Sequence, residues 1–247
     1  MKHFNLKNFA YLTLTFIVST IVGTLTHEGG HIAVAKYYGY ETTLHYASMN
    51  WQKPWKQDFD SMQAIYSRNQ VDEDRRIRHL ESERQDSLAI KVKKQYSSLD
   101  YKAKSRWISI GGPAQTLLTS LLGIVILLYR RKSILEHGMK LWDWFAVFLS
   151  LFSLRFVANM TLSVLYEFIN PNGTYFGGDE ARIARSLNLT KGSIAFPLFC
   201  IGLLIALWVI FKVLPYKTRF TFILSGLTGG VLGWIIWMDW LGPIVLP

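Results

Sequence analysis

Cysteine is almost absent from this chain. The single one, Cys200, sits inside an apolar run, so neither an intrachain disulfide nor a cysteine-based metal site is available. Acidic residues are also scarce: 17 Asp and Glu stand against 27 Lys and Arg, a net charge of +10. That excess is spread over short loops and one mixed-charge stretch, with no compact basic domain, which argues against a nucleic-acid partner. There is no internal repeat and no low-complexity tract.

What the chain has instead is apolar sequence in blocks. Half of its 247 residues are hydrophobic, too many and too clustered for an ordinary water-soluble domain. Runs at about 9–26 (extendable to 38), 107–129, 141–166, 193–214 and 219–242 approach the roughly 20 residues that a bilayer requires. The expectation is an all-α membrane protein: one polytopic domain over 1–247, with about five transmembrane helices. A polar insert at 40–105 follows the first helix. Residues 193–247 supply the last two spans. The first run resembles a secretory signal peptide, with Ala33-Val34-Ala35 as a cleavage site. It is longer than the usual apolar region of about 7–15 residues, so a span is the better reading.

Five spans put the N-terminus, the 130–140 loop and the 212–219 loop on one side. That side carries Lys2, Lys7, Arg130, Arg131, Lys132, Lys140, Lys212, Lys217 and Arg219 against Glu136. The 167–192 loop opposite is balanced. The positive-inside rule then predicts a cytoplasmic N-terminus and an insert outside. Within the insert, 41–49 (ETTLHYASM) is rich in β-branched and aromatic residues and predicts a short strand or hairpin. Trp51, Lys53, Pro54, Trp55 and Lys56 suggest an interfacial anchor. From about Ser61 to Tyr96 the density of Arg, Lys, Glu, Asp and Gln predicts solvated helix.

Chemistry concentrates in His27-Glu28-Gly29-Gly30-His31, at the far end of the first run. On a helix, residues four apart share a face, so His27 and His31 can aim at one ion. Zinc accepts neutral imidazole and keeps a position for water when it is catalytic. Glu28 lies beside that axis as a candidate base. Three ionisable groups within five residues of a span are expensive unless they act or face water. Thr20, Gly23, Thr24, His27, Gly30 and His31 make a small or polar stripe, which tight helix packing also explains. A third ligand has to come from elsewhere. His3, His45, His79 and His137 lie in tails or loops; Glu167, Asp179 and Glu180 lie in the loop on the same side as the HEGGH segment. Gly177 and Gly178 allow close backbone approach at Asp179, which is expected to cap or open a short helix with Ala181, Ile183, Ala184 and Leu187 on one side. Capping alone would also explain Asp179. Arg155, deep in the third span, continues through Asn159 and Ser163 as a polar face. It reads as a partner for Asp179 or Glu28, a holder of a substrate carbonyl, or a structural ion pair. In the last span, Gly226/Gly230 and Gly229/Gly233 have small-xxx-small spacing.

Taken together, these elements resemble the site-2 protease family of intramembrane zinc metalloproteases. His27 to His31 is similar to the family's HExxH helix. "ISIGGPAQT" (108–116) is similar to its Gly-Pro-x-x-Asn element, with Gly112 and Pro113 matching and Thr116 where Asn is usual. Asp179, after an Asn170-Pro171 stretch, is similar to the Asp of its Asp-Gly motif, with Glu180 where Gly is usual. The resemblance covers about 9–39 and 107–187. It implies a zinc cofactor on His27, His31 and Asp179, Glu28 as catalytic base, and a membrane-embedded or membrane-proximal peptide substrate. Gly112, Pro113, Thr116, Arg155 and Asn159 are expected near the substrate or behind the ligands. The alternative is a non-catalytic scaffold or receptor that keeps the fold. A transporter is a third reading, without the paired broken helices it would need.

Overall fold

The computed structural model describes residues 4–53, 56–58, 60, 61, 64, 75–170 and 176–247. The apolar runs become long helices, because hydrocarbon offers no partner to a free backbone N–H or C=O. Helix α1 spans Leu6–Tyr37, with Asn5 capping it through a bond from the Asn8 amide. A hairpin follows: β1 (Thr42–Leu44) pairs antiparallel with β2 (Met49–Trp51). Helix α2 is Arg75–Ser97 and α3 is Leu99–His137. Helices α4 (Leu141–Ser150) and α5 (Leu154–Ile169) make one span, joined by a 3-10 turn at Leu151–Ser153. A short helix α6 (Gly178–Ser186) precedes α7 (Ala195–Trp208). Helix α8 (Tyr216–Ile235) passes through a π-helical turn (Ile236–Leu241) into α9 (Gly242–Val245).

Among the described residues, five helical stretches are long and apolar enough to cross a membrane: Leu6–Tyr37, Asp100–His137, Leu141–Ile169, Ala195–Val213 and Tyr216–Val245. Large apolar side chains point outward on them, including Val18, Leu121, Val125, Leu204 and Val231, as expected where lipid replaces water. The interior holds small polar groups such as Thr24, Ser120, Ser150, Ser153 and Ser225.

Helix α1 packs against α8 on one side and α3 on the other. Both contacts depend on missing side chains. Gly229 and Gly233 lie against Thr13, Phe16, Ile17 and Thr20, and Gly226 lies under the Phe16 ring. Gly230, expected to share this role, faces open space, and so does Gly23 of the α1 stripe. On the α3 side, Gly30 and Gly111 sit backbone to backbone; a Cβ on either would run into the other's carbonyl.

Several boundaries differ from expectation. The strand or hairpin expected at 41–49 is a hairpin that runs on to Trp51: His45 N–H bonds Ser48 O in the turn at 45–48, and the chain returns as β2. That turn is strapped to the last span: Trp237 Nε1 donates to Tyr46 O at 2.8 Å, and Tyr46 N–H donates to Leu246 O. The last span therefore offers more than helix packing. Helix α3 begins at Leu99, capped by Ser98, so the end of the 40–105 insert belongs to the spanning helix itself. Of the anchor residues, Trp51 stacks on Tyr101 and receives Lys53 over its ring, while Pro54 and Trp55 lie outside the described residues. So does much of the 61–74 stretch of the expected polar helix, whose described part is α2.

Candidate metal centre

The HEGGH segment lies on α1 where α1 crosses α3. Burial there is nearly complete: 1 % exposure for His27, 5 % for Glu28 and 5 % for His31. Each of these three offers a ligand atom within 4.8 Å of the others. Asp179 arrives from the first turn of α6. Its Oδ2 is 3.0 Å from His27 Nε2 and 3.1 Å from His31 Nε2. Three donor atoms thus converge from a helix and a loop 148 residues apart in sequence.

The two rings are held from behind. His31 Nδ1 is 2.6 Å from the carbonyl of Ile108, which can only accept a hydrogen bond, so Nε2, the nitrogen that faces Asp179, is the one that would bind an ion. Pro113 has no N–H to give to the carbonyl of Ser109, so the ladder is interrupted beside Ile108. His27 Nδ1 is 2.9 Å from Thr116 Oγ1, one turn beyond Gly112. A ring nitrogen donating to a hydroxyl again leaves Nε2 free to bind. Gly112 makes room for both rings, because a Cβ there would occupy the space of both Nε2 atoms.

Asp179 does not cap its helix. Gly177 holds the N-cap position and Gly178 takes φ +73°, a left-handed turn that suits glycine, leaving Asp179 in the first turn. Burial pushes the Asp179 carboxyl up, but the hydrogen bonds to His27 and His31 outweigh it and hold the group below the usual carboxylate range. Arg182, one turn on, stands 3.6 Å from Oδ1; this mostly exposed cation went unnoticed in the sequence, although i,i+3 spacing signalled it. Ala181, Ile183 and Ala184 are buried as expected, whereas Leu187 is 42 % exposed.

The other loop acids play different parts. Glu180 is buried and bonded to Asn159; burial pushes its carboxyl up. Glu167 has a buried Oε2 without a hydrogen-bond partner among the described residues. Arg155 pairs with Glu28, its Nη2 3.9 Å from Oε1. Asn159 therefore serves Glu180 and not the imidazoles. The Ile108 carbonyl could not be found by residue type, since every residue has one.

The donor set fits a zinc ion. Two neutral imidazoles and a carboxylate are a zinc ligand set, and bonds of about 2.0–2.2 Å in a tetrahedron place ligand atoms roughly 3.3–3.6 Å apart, a few tenths of an ångström more than the two N···O separations of 3.0 and 3.1 Å. Comparison with protein-family models, curated proteins and solved structures finds no match to this chain.

Proposed function

We propose that this protein is an intramembrane zinc peptidase of the site-2 protease type, hydrolysing a peptide bond in or near the bilayer. The observation that carries the reading is the convergence of His27 Nε2, His31 Nε2 and Asp179 Oδ2, with the Glu28 carboxylate beside them. His27, His31 and Asp179 would hold the zinc. When bound, it polarises the scissile carbonyl and lowers the pKa of water towards about 7. Glu28 takes the proton from the attacking water and passes it to the leaving amine. With zinc bound, Thr116 Oγ1 and the Ile108 carbonyl would accept from the two Nδ1–H groups and leave Nε2 to the metal. The helices around the site bury His27, Glu28 and His31 away from bulk water.

The charge distribution supports a cytoplasmic N-terminus and an insert on the outer side. One observation favours a second reading, a scaffold without turnover: Asp179 Oδ2 already satisfies both Nε2 atoms by itself. The two readings separate at Glu28. In vesicles containing a labelled apolar transmembrane peptide, Glu28→Gln is expected to keep its zinc and to lose at least about 10²-fold in cleavage rate, the scale of general-base catalysis. Full cleavage by the Gln variant contradicts the role of Glu28. Zinc binding without cleavage by the unmodified protein favours the scaffold.

A further inference from the structure

Among the described residues, Arg155 is the intramembrane cation paired with the cluster's Glu28, and that pairing does not use up its donors. It follows the 3-10 turn at 151–153 near the start of α5 and lies beside Glu28 of α1. Its Nε is buried and has no hydrogen-bond partner. Its closest acid is Glu28, at 3.9 Å, an ion-pair distance too long for a hydrogen bond. Among the described residues the guanidinium, with five donors in a fixed fork, makes no hydrogen bond. A charge at this depth with unused donors is costly unless something is to be bound there.

We propose that Arg155 is a catalytic residue that donates hydrogen bonds to the oxygen of the scissile carbonyl and stabilises the negative charge that forms on it. The inference rests on the peptidase reading. As water attacks, its oxygen bonds to the carbonyl carbon, its proton goes to the Glu28 carboxylate, and the carbonyl π pair moves onto oxygen. The Arg155 N–H groups hold that oxyanion without giving up a proton. On collapse the C–O double bond re-forms and the C–N bond breaks. Its electron pair leaves with nitrogen, which takes the proton back from Glu28. The products are an amine and a carboxylic acid, which then ionises. Donors next to the base serve this step because the attacked carbon lies between the water and the carbonyl oxygen. They strengthen as charge develops, so they raise kcat more than they tighten ground-state binding.

The test uses Arg155→Gln and Arg155→Lys in the full-length protein. It reads metal content, kinetics on a labelled apolar transmembrane peptide, and the Kd of acetyl-Leu-Leu-amide with a phosphinic group in place of the central amide. That group presents the tetrahedral oxygens directly. For Arg155→Gln the expected result is unchanged zinc and a kcat lower by about 10²–10³-fold, with KM within about twofold. The phosphinic Kd should weaken by the same factor as kcat/KM. Arg155→Lys should restore part of both losses. Unchanged kcat or unchanged phosphinic affinity overturns the proposal. If the unmodified protein binds zinc and cleaves nothing, the peptidase reading fails. The phosphinic Kd still judges the Arg155 contact by itself.

Discussion

Individual side chains divide into those that face the cluster and those that aim them. His27, His31 and Asp179 face it; Thr116 and the Ile108 carbonyl aim the rings. Partners of this second kind usually carry 10–100-fold in metal affinity. Thr116→Val keeps the shape and removes the acceptor, leaving a buried Nδ1–H without a partner. Zinc affinity, measured by competition with a chelator, is expected to fall about 10–100-fold, and Thr116→Ser should retain most of it. An unchanged affinity for the Val variant would mean that the 2.9 Å contact does not orient His27. The histidine pair was legible in the sequence because i,i+4 spacing survives any tertiary arrangement. Asp179 was legible only as one of three loop acids, and Thr116 only through a family likeness. Whether Arg155 met Glu28 or Asp179 depended on the rotation of α5, which a three-residue change of helix type at 151–153 controls and composition does not reveal.

At the level of elements, the crossing of α1 and α3 places the chemistry. Gly30 and Gly111 let the two backbones touch, and Gly112 clears the space in front of both imidazoles. The two kinds of glycine predict different failures. Gly30→Ala forces the helices apart and should destabilise the fold by about 1–3 kcal/mol, the usual range for overpacking. Gly112→Ala should abolish metal binding, with the melting temperature of the metal-free protein less affected. Gly23→Ala and Gly230→Ala face open space and serve as controls. Thermal unfolding in detergent, with and without chelator, separates these cases; equal metal affinity for Gly112→Ala and the controls would contradict the placement. The spans themselves were readable from runs of apolar residues, since the bilayer demands length above all. Their ends were not. Helix α3 extends eight residues before the expected start at 107, because polar helix costs little once it leaves the hydrocarbon. The β1–β2 hairpin was one of the two forms expected at 41–49, but its tie to the last span was not legible, since the bond from Trp237 to its turn joins positions 191 residues apart.

For the molecule as a whole, an even number of spans separates the HEGGH segment from Asp179, so both reach one side under either orientation. Their contact agrees with five crossings. Orientation is tested by single cysteines at Ser87 and Ser133 in a Cys200→Ser background, using a membrane-impermeant maleimide on intact cells. Labelling at 87 and protection at 133 is expected; the reverse pattern inverts the topology. The central claim is that two spans and a returning loop build one zinc site, and metal analysis of purified protein addresses it most directly. The unmodified chain should carry one zinc per chain. Asp179→Ala should lose most of it, because a metal bond is removed, and Glu167→Ala should keep it. If Asp179→Ala, still folded in detergent, holds one zinc per chain with unchanged affinity, the site does not have the composition described.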